Sequence, residues 1–189
     1  MPAWASLIAS MLLAGCAEPP SKEMDQAQGA IDAARAAGAD QYATTEYDAA
    51  TIALKNSNDA VAAGDYRLAL NYALESREHA QNAARDAANT KARMRSEIER
   101  DLMETEALIT KGQSQIAAAQ RARVPARLLR QPGGQLKQSM SDVQKPREAV
   151  AAGDYLQAAK AIKEIRSGVE KALAEIDAAT TAQSSRRRR

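Results

Sequence analysis

Few side chains in this sequence are equipped for chemistry. Cys16 is the only cysteine and His79 the only histidine. A lone cysteine makes neither an intramolecular disulfide nor a metal cluster. His79 follows Glu75 by four residues on a helical stretch and reads as a solvated surface residue. Glu97, Glu99, Asp101, Glu104 and Glu106 alternate with Lys91, Arg93, Arg95 and Arg100. That pattern is a solvated helix face with i,i+4 ion pairs. No glycine-rich loop precedes a helix to cradle phosphate. No nucleophile, base and metal set can be assembled, so the expectation is a non-enzymatic protein without cofactor or metal. The sharpest exposed feature is the tail Arg186, Arg187, Arg188 and Arg189. It could contact anionic lipid headgroups, lipopolysaccharide phosphates or another polyanion by charge alone, or be a solvated, disordered end.

The elements that must carry these residues are helices. The chain has 189 residues, 45% hydrophobic but rich in alanine, with no Phe and one Trp, Trp4. Thin helix-on-helix packing suits such small side chains better than a thick core. Val, Ile and Thr never alternate as strands require. The formal net charge is +2, and −2 without the four terminal arginines (2 − 4). A near-neutral body argues against a broad nucleic-acid surface.

A first helix is expected from about Lys22 to Ala37, then a turn at Gly38-Ala39-Asp40. A second runs from about Thr44 to Ala63, with Tyr47, Leu54 and Val61 on one stripe. Gly64-Asp65 ends it: glycine takes the left-handed position and aspartate caps the next helix. So short a link makes the two helices antiparallel. A third helix starts at Tyr66 and meets no strong stop before Pro125, about 85–90 Å if unbroken, with Gly112 a point of division. Arg127 to Gly134, holding Pro132-Gly133-Gly134, reads as a loop. A fourth helix follows from about Gln135 to Ala152, kinked at Pro146. Gly153-Asp154 repeats the turn, and a fifth helix spans Tyr155 to about Ala179. The fold class is all-α, an elongated bundle of antiparallel helical hairpins, coiled-coil-like, joined by a long central helix.

Val61-Ala62-Ala63-Gly64-Asp65-Tyr66 recurs unchanged as Val150-Ala151-Ala152-Gly153-Asp154-Tyr155, 89 residues later. Ala69, Glu75, Arg77 and Ala83 match Ala158, Glu164, Arg166 and Ala172 in the same register. Two related helical units are inferred. Tyr66 and Tyr155 read as packing tyrosines rather than a ligand stack.

Residues Trp4 to Ala14 are apolar but too few to cross a membrane, which suits a signal-peptide core. They end in Leu13-Ala14-Gly15-Cys16, which resembles the lipobox of bacterial lipoproteins. That resemblance implies cleavage before Cys16, a diacylglycerol and fatty acyl (palmitate) anchor on it, and a body in the periplasm. The n-region, Met1-Pro2-Ala3, departs from the pattern in having no Lys or Arg. Ala17, not Asp, follows the cysteine, which by resemblance to enterobacterial sorting implies the outer membrane. The expected segments are a signal peptide at 1–15, a lipidated tether at 16–21, helical units at 22–111 and 112–182, and a basic disordered tail at 183–189.

The lipobox, the alanine-rich helices, Tyr42-Ala43-Thr44-Thr45-Glu46-Tyr47-Asp48-Ala49-Ala50 and Ala63-Gly64-Asp65-Tyr66 with Ala69 together resemble the bacterial lipoprotein domain called domain of unknown function 4398. The resemblance covers roughly residues 20 to 95, and the C-terminal half is similar to a diverged second copy. It implies an envelope lipoprotein of helical fold and brings no catalytic residues. The Gly-Asp-Tyr turn also resembles a tetratricopeptide turn, but the offset of 89 is not a run of units of about 34. Two functions are expected from these features. One is a membrane-anchored scaffold for an envelope protein partner or for a homo-oligomer, with no nucleic acid involved. The other is a module binding an anionic envelope polymer or lipid through the arginine tail.

Overall fold

Gly38, Gly64 and Gly153 take left-handed backbone angles (φ 81°, 77° and 79°), and each follows the end of a helix. The computed structural model describes residues 18–187. These form α1 (Ser21–Ala36), α2 (Ala39–Tyr42), α3 (Thr44–Ala62), α4 (Tyr66–Arg121), α5 (Ala126–Asp142), α6 (Gln144–Ala151) and α7 (Tyr155–Arg187). No strand occurs among the described residues. The fold is an all-α helical bundle. The turn expected at Gly38-Ala39-Asp40 holds only at Gly38; the chain then makes the single-turn helix α2.

The described chain divides into two compact units between Ala88 and Asn89. The first contains α1 to α3 and the beginning of α4. Its core is mostly alanine: Ala34, Ala39, Ala50, Ala80, Ala83 and Ala87, with Ile31 and Tyr47. Side chains this small let helix backbones approach closely. Ser57 Oγ on α3 donates to the Ala69 carbonyl on α4 at 2.8 Å, and Ser76 Oγ on α4 donates to the Ala50 carbonyl on α3 at 2.8 Å. As the α3 partner falls from 57 to 50, the α4 partner climbs from 69 to 76, so the hairpin is antiparallel.

The second unit packs the remainder of α4 against α5, α6 and α7. Its core uses larger residues: Ile98, Leu102, Ile109, Leu136, Val143, Ile162, Val169 and Ile176. Buried positions recur at the spacing of 89: Tyr47 and Leu136, Ala73 and Ile162, Ala80 and Val169, Ala87 and Ile176. For the leading helix of each unit the spacing is 78, pairing buried Ala27 and Ile31 with Thr105 and Ile109, and Ala34 with Gly112. The difference, 89 − 78, leaves eleven more residues between these positions in the second unit, where Ala119, Val124 and Leu129 pack with Ala179 of α7 as an added layer. Fully burying each large aliphatic side chain is worth about 1.5–3 kcal/mol, so this unit draws on larger contributions per residue than the alanine-lined one.

Gly112 does not divide α4. A Cβ there would come within 2.7 Å and 2.9 Å of the Leu136 methyls and 3.1 Å of a Leu173 methyl, so glycine is needed for close packing inside a continuous helix. Arg127 to Gly134 is not a loop but lies within α5. Leu129, Pro132, Leu136 and Ser139 are all buried at helical spacing, and that burial outweighs the roughly 3 kcal/mol penalty of a proline in a helix. The helix expected over Gln135 to Ala152 breaks at Val143, upstream of Pro146. Pro146 lacks the N–H that the Asp142 carbonyl would accept, and its ring crowds that carbonyl. The tail also differs: α7 runs on to Arg187 where a disordered segment from 183 was expected. Thr180, Ser184 and Ser185 hydroxyls donate to carbonyls three or four residues back along this extension.

Candidate functional site: a basic helix end in the second unit

The duplicated Gly-Asp-Tyr turn is built by one set of hydrogen bonds used twice. The Asp65 N–H donates to the Ala60 carbonyl at 3.0 Å and the Gly64 N–H to the Val61 carbonyl at 3.0 Å. The Asp154 and Gly153 N–H groups donate likewise to Ala149 and Val150, at 2.9 Å and 3.0 Å. This pair of bonds is the Schellman motif, and it needs left-handed geometry at the glycine. The aspartates then cap the following helices: Asp65 Oδ1 accepts from the Leu68 N–H at 2.9 Å, and Asp154 Oδ1 from the Gln157 N–H at 3.0 Å. Tyr66 and Tyr155 are half-buried, and Tyr155 packs on the second core. These six residues set helix direction and present no reactive group.

His79 is not simply solvated. Its Nδ1 lies 2.8 Å from Glu46 Oε2 across the α3–α4 contact, and its Nε2 lies 3.8 Å from Glu75 Oε1. The hydrogen bond to Glu46 raises its pKa most; burial opposes this, and the charges of Glu46, Glu75 and Glu78 add to it. The sequence shows Glu75 at i−4 but gives no sign of Glu46, 33 residues away. Nearby, Arg35 Nε donates to the Tyr47 hydroxyl at 2.7 Å, with its guanidinium 5.8 Å from the ring centroid. These contacts fasten α1, α3 and α4 together.

The strongest concentration of charge lies in the second unit. Between Glu106 and Asp142 the chain carries Lys111, Arg121, Arg123, Arg127, Arg130 and Lys137 and no Asp or Glu; after Asp177 its only charged side chains are Arg186 to Arg189. These ten cations leave 16 Lys and Arg against 24 Asp and Glu elsewhere, a net of 2 − 10 = −8. The body, near neutral in sum, is therefore segregated in charge. Arg121, Arg123, Arg127 and Arg130 flank the α4–α5 turn, and all are exposed. None forms an ion pair among the described residues, unlike Arg166, which holds Glu104 at 3.0 Å and Glu170 at 3.2 Å. Glu175 shares a shallow groove between α5 and α7 with Arg127, Gln131 and Pro132 without pairing.

The fold brings the C-terminal turn of α7 to this place. Gln183 Nε2 donates to the Arg123 carbonyl at 3.3 Å, and Ala179 is buried with Ala119, Val124 and Leu129 beneath the turn. Arg186, one helical turn further, is exposed beside it. Arg123 itself has a left-handed backbone (φ 61°), the only non-glycine among the described residues to do so. The sequence reading found the tail but missed Arg121, Arg123, Arg127 and Arg130. The legible signal was the acid-free stretch of 107–141.

The chain was compared with known proteins. A family model described as Domain of unknown function (DUF4398) matches residues 22–98. Residues 22–98 are a DUF4398-like domain. No curated protein and no solved structure matches the chain.

The DUF4398-like domain takes in α1, α2, α3 and the start of α4, and runs ten residues past Ala88 along that helix. His79, Glu46, Tyr47 and the Gly64-Asp65-Tyr66 turn lie inside it; the arginines of the α4–α5 turn lie outside it. No helix among the described residues is long and apolar enough to cross a membrane. Leu13, Ala14, Gly15 and Cys16, with the signal segment, lie outside the described residues, as do Arg188, Arg189 and the side chain of Arg187.

Proposed function

We propose that this protein is an envelope lipoprotein, tethered by lipid on Cys16, whose helical body is a non-enzymatic scaffold for another envelope protein. The observation that carries this reading is Leu13-Ala14-Gly15-Cys16 closing the apolar run from Trp4. Acyl chains contribute about 0.8 kcal/mol per buried CH2, enough for two or three chains to hold the protein at a membrane. The few residues between the cysteine and α1, which begins at Ser21, serve as a short tether, with the body in the periplasm and the lipid in the outer membrane. The resemblance of roughly residues 20 to 95 to a domain of bacterial lipoproteins, read from the sequence motifs, supports the same reading. Exposed Ile52, Met103 and Met140, at 59%, 65% and 50% of their surface, supply apolar contact points on helix faces.

The test is crosslinking in cells followed by purification of the full lipoprotein from solubilised envelope, with Cys16→Ser as the control for anchoring. A discrete protein enriched only with the anchored form is the expected result. Recovery of sacculus fragments, lipopolysaccharide or nothing overturns the scaffold reading.

A further inference from the structure

We infer that the arginine-bearing end of the second unit is a docking surface for a membrane carrying anionic, phosphate-bearing headgroups. This inference needs neither the lipid anchor nor the scaffold role.

The first argument is charge. Arg121, Arg123, Arg127 and Arg130 flank the α4–α5 turn, and Arg186 lies one helical turn past Gln183, which reaches the Arg123 carbonyl; all five are exposed and without ion pairs among the described residues, while the rest of the chain outside the acid-free stretches is net negative. Unpaired exposed cations repel one another and gain from a fixed anionic surface. Every basic residue at this end is arginine, whose planar fork bonds phosphate oxygens in pairs.

The second argument is where these residues sit. Arg121, Arg123, Arg127 and Arg130 fall between Gly112 and Pro132, the region that holds the eleven residues with no counterpart in the first unit. That unit closes its first two helices through Gly38 and α2 with none of this charge. The repeat fold does not require the added layer, and its exposed rim is the basic end.

The third argument selects the occupant. Leu128 is 43% exposed between Arg127 and Arg130, while its neighbour Leu129 is buried below. An exposed apolar side chain set between arginines along one helix suits a bilayer interface, where the guanidinium reaches headgroups and the leucine enters the acyl boundary. Single-stranded nucleic acid would need aromatic platforms, and no Phe, Trp or Tyr occurs between Tyr72 and Tyr155. A soluble polyanion would use the charge but leave Leu128 in water.

The test uses the full chain with Cys16→Ser and vesicles of phosphatidylcholine containing 30 mol % phosphatidylglycerol, against phosphatidylcholine alone. Each arginine near such a surface is worth roughly fivefold in partitioning. The expected result is binding to the anionic vesicles, abolished at 0.5 M NaCl. Arg121→Gln/Arg123→Gln/Arg127→Gln/Arg130→Gln should weaken it at least tenfold, with unchanged helical circular dichroism. Leu128→Gln should weaken vesicle binding a few-fold and leave binding to soluble heparin unaltered. Equal binding to both vesicle types, or full retention in the quadruple variant, overturns the proposal. So does binding to heparin without binding to anionic vesicles, which assigns the arginines to a soluble polymer.

Discussion

His79 Nδ1 and Glu46 Oε2 stand 2.8 Å apart, joining α4 to α3 in a half-buried pair. The glutamate favours the protonated imidazole, so the histidine pKa is raised above its ordinary value of 6.5 in the folded chain. The pair's contribution is therefore full below about pH 6.5 and fades as pH rises through the raised folded value. A partly exposed pair is worth less than about 1 kcal/mol. Urea unfolding at a series of pH values should show stability falling over that window. His79→Gln should remove this slope, and an unchanged slope would show that another group causes it.

The left-handed glycines make a second prediction. Gly64→Ala and Gly153→Ala place a Cβ at φ 77° and 79° with nothing within 4 Å of it, so the penalty is conformational strain alone. Each should lower stability by about 1–2 kcal/mol. Arg123→Gly is the converse, relieving the same strain at φ 61°, and should raise stability by up to about 1 kcal/mol. Thermal unfolding of the three variants checks the signs.

Gly112 and Gly134 separate packing from propensity. Both are helical, but only Gly112 faces a crowd: Leu136, itself 1% exposed, and Leu173. Gly134→Ala should stabilise by about 1 kcal/mol through helix propensity. Gly112→Ala gains the same propensity but overpacks a site where Leu136 has no room to swing, and should destabilise by about 1 kcal/mol net. Chemical denaturation midpoints of both variants decide it.

What the sequence could reveal depended on the range of the interaction. The Gly-Asp turns were readable because a left-handed glycine and an aspartate cap act within six residues. The helical character of the chain was readable from composition and spacing. Pro132-Gly133-Gly134 was not, since local chemistry says break while burial of Pro132 beside Leu129 and Leu136 keeps α5 intact. Gly112 was misread for the same reason: its role is contact with Leu136, 24 residues on. The basic end was legible only in part: the acid-free stretch of 107–141 shows in the sequence, but Arg123 and the end of α7 lie 60 residues apart until Gln183 reaches the Arg123 carbonyl.

The lipid on Cys16 is the claim on which the proposed function turns. The most direct measurement is mass spectrometry of the N-terminal tryptic peptide from protein purified out of membranes, since Lys22 is the first tryptic site in the sequence. The account predicts a peptide of Cys16 to Lys22, heavier than its residues by a diacylglyceryl group, with or without an amide-linked acyl chain. An unmodified Cys16 within a peptide extending upstream of Gly15 would contradict it.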